Sequence, residues 1–326
     1  MFGRTALRIV WLLALGLGFA ARAQAEYPER VIRIVVPFAP GTGLDVIARG
    51  FAERFTEQMG VTALVENRDG AGGMLGTGVV KSAPPDGYTL VFTAHPPFAV
   101  ATLLQKTPTY DPGRDFMPIA KVADVPMVLV ASNAAPFGSF GAFVDHVGKN
   151  PGKLTYASSG IGTPSHLNME RIKLTRGLVI QDAPYKSAAQ AMTDVMAGHV
   201  PLYLPSYPAA LPHLAAGKLR GLAIGSIRRA TALPDMPTMA EALGQPDFEA
   251  VVWYGFLAPA GTAPAIVSRL NAEISRAMAT PQMKDILTRL GTEPAMASGA
   301  DLAARIRRDV SDARKLLDDL KLAPEN

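Results

Sequence analysis

Pro37-Phe38-Ala39-Pro40-Gly41-Thr42-Gly43-Leu44-Asp45 separates two segments of different period. Before it lies Val31–Val36, an apolar run that alternates poorly and so suits a strand buried on both faces. After it, Ile47, Phe51, Phe55 and Met59 recur every four residues and mark one face of a helix. Thr42 followed three residues later by Asp45 is the pattern of a capping box. Gly41 and Gly43 let backbone approach a neighbour without a Cβ in the way. A strand that ends in a glycine loop at a helix start offers unpaired N–H groups under the positive end of a dipole. Such a loop can hold a phosphate or a carboxylate, and it can equally be a plain strand-to-helix turn.

The same arrangement recurs in the second half. Leu154–Ser158 reads as a strand and runs into Ser159-Gly160-Ile161-Gly162-Thr163-Pro164-Ser165-His166. Thr163 suits an N-cap and Pro164 the first helical turn. The segments between support an α/β chain. Val61–Glu66, Tyr88–Thr93, Val179–Tyr185, Val200–Leu204 and Leu219–Ser226 read as strands. Helices are expected through Val79–Ser82, over Phe137–Val147 and over Ser187–Ala197, the last closed by Gly198. This βαβ rhythm predicts parallel sheets. Ile119–Ser132, broken at Pro126, reads as a strand that leaves one lobe for another. Val251–Leu257, around Trp253 and Tyr254, reads as the strand that returns. The predicted division is therefore residues 26–125 with 252–326 for lobe 1 and residues 126–251 for lobe 2. Ile266–Met278 and Met283–Leu290 are amphipathic. Leu302, Ile306, Val310, Ala313, Leu317 and Leu320 form a stripe expected to lie on lobe 1.

The chain has 326 residues, enough for two lobes. Residues 1–25 read as a signal peptide: Arg4 and Arg8, the apolar run Ile9–Phe19, and the small-x-small site Ala23-Gln24-Ala25. The precursor carries 32 Lys+Arg against 28 Asp+Glu; without Arg4, Arg8 and Arg22 the count is 29 against 28. A near-neutral mature chain gives no reason to expect nucleic acid or an anionic membrane as partner. There is no cysteine, hence no disulfide, thiolate nucleophile or lipidated cysteine. Gly-x-Ser-x-Gly, a phosphate loop, His-Glu-x-x-His and a dinucleotide fingerprint are all missing. The five histidines, His95, His146, His166, His199 and His213, have no metal-site spacing.

An ordered series of motifs spans essentially the whole mature chain. It comprises Pro37–Gly41 with Asp45 and Arg49, Val65-Glu66-Asn67-Arg68, Gly70-Ala71-Gly72-Gly73 and Pro85-Asp86-Gly87-Tyr88-Thr89-Leu90. It continues through Tyr110-Asp111-Pro112, Asp115-Phe116, Ser159-Gly160, Gly162-Thr163, His166-Leu167 and Pro184-Tyr185-Lys186. Pro234–Thr238 and Ala258–Thr262 complete it. In this series the chain resembles the solute-binding proteins of tripartite tricarboxylate transporters, the Bug proteins. The resemblance implies a two-lobe periplasmic binding protein of the Venus-flytrap kind, type II-like, with two hinge crossings. It implies a small carboxylic acid as ligand, a di- or tricarboxylate or an aromatic acid, held by both glycine loops. It also implies an inner-membrane permease as partner, with no cofactor, no metal and no catalysis; the receptor is expected to be a monomer.

Carried onto this sequence, the site is Phe38, Ala39, Gly41, Thr42, Gly43 and Asp45 from one lobe. From the other come Ser158, Gly160, Ile161, Gly162, Thr163, Ser165 and His166, with Lys186 and Pro205. His95 joins them from Thr93–Phe98, a loop expected to line the distal pocket. Thr42 stands where the family usually has a second glycine, which implies a narrower carboxylate pocket. Pro205-Ser206 stands where the family often has an acidic residue, which removes a partner for a ligand ammonium. Two other readings remain: a periplasmic carboxylate sensor or scavenger without a permease, and a secreted hydrolase using Ser165 and His166.

Overall fold

A computed structural model describes residues 27–230 and 233–322; the expected signal peptide lies outside the described residues. The chain opens with β1 (Ile32–Val36). Ile32, Ile34 and Val36 pack into one apolar cluster while Val35 enters another, so the strand is covered on both faces as its composition predicts. Then follow α1 (Gly43–Met59), β2 (Ala63–Asn67), α2 (Met74–Lys81), β3 (Thr89–Ala94), the short α3 (Val100–Leu103) and β4 (Phe116–Pro126). Next are β5 (Val128–Ser132), α4 (Phe140–Lys149), β6 (Thr155–Ser158), α5 (Pro164–Arg176), β7 (Gln181–Pro184), α6 (Ala188–Ala197), β8 (Leu202–Tyr203), α7 (Tyr207–Ala215), β9 (Leu219–Ile224) and α8 (Met239–Leu243). The chain closes with β10 (Val251–Pro259), α9 (Pro264–Ala279), α10 (Pro281–Arg289), β11 (Glu293–Ser298) and α11 (Gly299–Asp319).

Two sheets result, with strand orders β11-β4-β10-β3-β1-β2 and β7-β6-β8-β5-β9. Only β2-β1-β3 and β7-β6-β8 are parallel; β10, β4 and β11 pair antiparallel, as do β5 with β8 and β9. The parallel pairing expected of the βαβ segments thus holds for β2-β1-β3 and β7-β6-β8 alone. The crossing strands enter each sheet from the opposite end, which βαβ counting cannot reveal.

Each sheet lies between two helical layers. In the first, Phe51 and Phe55 of α1 and Leu270 and Ile274 of α9 cover one face, with Phe51 edge-on to Phe256 at 4.9 Å. Met74, Val80, Leu302 and Ile306 cover the other. In the second sheet, Phe143 and Met169 lie on one face and Ala191 and Val195 on the other. Burial of such side chains contributes roughly 1.5–3 kcal/mol each.

The two crossings touch. Met127, between β4 and β5, donates its N–H to Ala250 O at 2.9 Å, and Ala250 N donates to Gly225 O at 2.9 Å. Gly225 N in turn donates to Met127 O at 2.7 Å. Three backbone bonds thus tie the outgoing and returning strands where the chain changes sheets. Trp253 is fully buried beside them and donates Nε1–H to Asp309 at 2.8 Å. The stripe on α11 is buried at Leu302, Ile306, Ala313 and Leu317, and half-buried at Val310 and Leu320. It does not lie on lobe 1 alone, because Ala313, Leu316 and Leu317 share a cluster with Leu167 of α5.

Candidate functional site

β1 and α1 deliver the first glycine loop. Thr42 caps α1, its Oγ1 accepting from Asp45 N at 3.3 Å, but the box is not reciprocal. Asp45 instead reaches back to accept from Gly41 N at 2.9 Å, and it also accepts from Asn67 Nδ2 at 2.9 Å and Arg49 Nε at 3.1 Å. Asn67 Nδ2 also donates to Phe38 O at 3.1 Å. Burial works to raise the Asp45 carboxyl, but Arg49, the Gly41 amide and Asn67 outweigh it and hold the group below the usual carboxylate range. Asp45 is therefore an ionised fastener of the loop, and its buried charge would repel a ligand carboxylate. Gly41 is left-handed at φ +82° and its amide is already bonded, so it shapes the turn. The Thr42 hydroxyl donates to Ala39 O at 3.0 Å. Among the described residues the first-turn amides of Gly43 and Leu44 stay unbonded, as a helix start requires, and so do those of Phe38, Ala39 and Thr42.

β6 and α5 deliver the second loop, which is tied internally in the same way. Ser159 N donates to Ser165 Oγ at 2.9 Å, Gly160 N to Ser158 Oγ at 3.4 Å and Gly162 N to His166 Nδ1 at 3.3 Å. Thr163 occupies the N-cap position, yet its hydroxyl donates to Gly160 O at 2.6 Å and caps no amide, contrary to expectation. Ser165 and His166 do the fastening in its place. His166 is buried; burial pushes its imidazole down, against Asp182 at 3.8 Å, so the neutral ring that accepts from Gly162 is the stable form. The first-turn amides of Ser165 and His166 have no acceptor among the described residues. Of the loop amides, those of Gly41, Ser159, Gly160 and Gly162 are bonded within their own loops.

The lobes meet on both sides of these loops. Gly162, at φ +76°, lies against Leu104 and Val100 of lobe 1, and a Cβ there would collide with Leu104 Cδ1. The segment around α3 also connects to the first loop, since Gly73 packs on Pro97 and on the Phe38 ring. On the other side, Gly43 neighbours Leu290, and the next residue, Gly291, packs on Pro208 and Leu211 of α7. Each helix start therefore lies beside a contact between the lobes, the second at residues 100–104 and the first at the α10–β11 turn.

The remaining expected residues divide. Phe38 and Ala39 are half-buried on the first loop, and Ile161 is 56% exposed at the tip of the second. Lys186 is exposed, beyond Tyr185, whose hydroxyl bonds Asp194. Pro205 is buried and its carbonyl accepts from Val128 N, a structural post at the crossing. His95 stands apart from the glycine loops. With Gly162 it borders a cavity of about 570 Å³, Nε2 lies 3.6 Å from Asp309, and the buried Nδ1 has no partner among the described residues. Burial lowers its pKa, so the ring is neutral at pH 7. Leu104, Val100, Leu290 and Pro208, which bring the lobes together, carry no local signal in the sequence. Among the described residues no group of three or more His, Asp or Glu could hold a metal, and no helix is long and apolar enough to cross a membrane.

Two α/β lobes joined by a doubled crossing, each with a glycine loop at a helix start, are the architecture of a bilobal binding protein. Residues 47–322 match the model of the tripartite tricarboxylate transporter family receptor, and the chain belongs to that family. Protein BugT of Bordetella pertussis is 36% identical over 294 residues, 90% of each chain. A structure of Rhodopseudomonas palustris Rpa4515 with adipate is similar at TM-score 0.78 and 32% identity, covering 92% of this chain and all of that one. MatC from the same organism, with bound malate, is similar at TM-score 0.73 and 29% identity, covering 89% of this chain and all of that one. Among the solved structures it resembles is that of the periplasmic binding protein BugD.

Proposed function

We propose that this protein is a periplasmic receptor that captures a small carboxylic acid between its lobes, does no chemistry on it and presents it to a tripartite tricarboxylate-type permease. The proposed lobes are residues 26–125 with 252–326, and residues 126–251. The observation that supports this reading is the pair of internally fastened glycine loops, one per lobe, whose helix-start amides stay unbonded beside contacts between the lobes. The anchor donors are Gly43 and Leu44 from α1 and Ser165 and His166 from α5; Asp45, Ser158, Gly160 and Thr163 hold the loops in shape. Charge-assisted bonds of this kind contribute roughly 1.5–3 kcal/mol each. Several of them, less ordering costs, sustain a micromolar site of about −8 kcal/mol. A ligand that touches both lobes only when they approach shifts the population toward closure. Adipate and malate, bound by the two similar proteins, are the natural first probes.

Titration calorimetry against di-, tricarboxylic and aromatic acids, paired with small-angle scattering, tests the proposal. We expect saturable binding of at least one acid, with compaction on binding. Absence of binding across the panel, or turnover of a bound acid, would reject it.

A further inference from the structure

The cavity beside His95 touches the second glycine loop at Gly162 and Pro164 and no residue of the first. It lies between α5 of one lobe and α11 of the other, next to the crossings. Pro164, Leu167, Asn168 and Arg171 face it from α5; Arg305, Asp309, Asp312 and Leu316 face it from α11. Both sets follow helical spacing, so each is a continuous face.

Its charges are not all used. Arg305 is held by Glu249 at 2.9 Å and by Asp309 at 2.8 Å, and Asp309 also accepts from Trp253. Arg171 differs. Its guanidinium lies 4.5 Å over the Phe248 ring, and Nη1 donates to Asn168 Oδ1 at 2.9 Å and to Glu249 O at 2.8 Å. It forms no ion pair among the described residues, and its Nε and Nη2 make no hydrogen bond there. Stacking and the two Nη1 bonds fix the plane, so the free edge is a preset two-pronged carboxylate receptor. Asp312, at the mouth, is likewise without an ion partner among the described residues. Val100, Leu167 and Leu316 supply an apolar wall.

We propose that this cavity is a second small-molecule site, which takes a zwitterion with a carboxylate, a primary ammonium and an aliphatic body. The carboxylate meets the free edge of Arg171, the ammonium turns to Asp312, and the aliphatic part lies on Leu167 and Leu316. A free dicarboxylate is disfavoured, because four carboxylates, Glu249, Asp309, Asp312 and Asp247, outnumber the three guanidinium groups of Arg171, Arg305 and Arg308 in the lining. A volume of about 570 Å³ accommodates a molecule of leucine's size.

The test is calorimetric titration of the full chain with L-leucine at low salt, with and without adipate at a saturating concentration. We expect one leucine site that adipate leaves unchanged. N-acetylleucine, which lacks the ammonium, and leucinamide, which lacks the carboxylate, should each bind at least about tenfold more weakly. Arg171→Gln and Arg171→Lys should each cost at least about tenfold in leucine affinity while adipate titrates normally, since lysine keeps the charge but not the fork. Asp312→Asn, at an exposed position, should do the same and serves if the Arg171 variants do not fold. No saturable leucine heat up to about 10 mM, competition by adipate, or wild-type affinity in Asp312→Asn would each overturn the proposal.

Discussion

Gly162→Ala tests whether the lobes close through the contact between the second loop and α3. The substitution acts twice. At φ +76° an L-residue is strained by roughly 1–2 kcal/mol, a cost to folding that is present with or without ligand. The new Cβ also runs into Leu104 Cδ1, across the lobe boundary. Overpacking of this kind costs roughly 1–3 kcal/mol, and here it falls on the conformation in which the lobes touch. The ligand-bound state carries that second cost, so Kd should rise by roughly 5- to 150-fold. Leu104→Ala removes the obstructing methyls. In a double-mutant cycle, measured by calorimetry with the best-bound acid, Gly162→Ala in the Leu104→Ala background should recover most of the affinity. It should not recover the melting temperature, because the backbone strain persists. Equal losses of affinity with and without Leu104 would refute the reasoning, and so would no loss at all.

Other consequences follow from the fastening groups. Asp45→Ala removes a buried acceptor of three hydrogen bonds; discounting the half-exposed Arg49, it should destabilise by about 2 kcal/mol in urea unfolding. The Asp45 pKa is lower folded than unfolded. Its contribution is therefore complete above the unfolded value of about 3.9 and lost as pH falls through the lower folded value. Urea midpoints of the wild type and Asp45→Asn should converge on acidification. His166 is also lowered in the fold: the stability of its neutral form is complete above about pH 6.5 and declines as pH falls toward the folded value. Ligand affinity should weaken only as pH falls through the folded value, where protonation removes the acceptor of the Gly162 amide; an affinity that stays constant down to acid unfolding would contradict this. Arg305→Gln leaves Glu249 and Asp309 facing each other, and with a mostly buried guanidinium lost it should lower stability by about 3 kcal/mol, read from denaturant midpoints.

How far the sequence could be read depended on the range of each interaction. β1, its loop and α1 were legible because a buried strand, a glycine turn and a four-residue stripe are local patterns. The second loop was legible by the same token. β11 was missed, because Glu293–Ser298 alternates only weakly and finds its place by pairing with β4. α7 was missed because Pro208 and Pro212 argue against a helix; Pro208 sits in the first turn, where no bond is lost. At the candidate site, residue types pointed to two glycine loops but not to the partner of each amide. Whether Gly162 N is free depends on which way His166 turns, a fact of rotamer and packing. The Arg305–Glu249 pair and the Arg171–Glu249 contact join positions 56 and 78 residues apart, beyond the reach of any motif.

Trp253 has a use that follows from its position. The precursor contains two tryptophans, Trp11 and Trp253, and removal of the expected leader leaves a single indole. That indole is in the strand by which the chain returns between lobes, and its N–H is bonded to a carboxylate on the last helix. Without that leader the chain carries one intrinsic fluorophore at the crossing, and its emission should time the proposed motion of the lobes in a stopped-flow instrument without any attached dye.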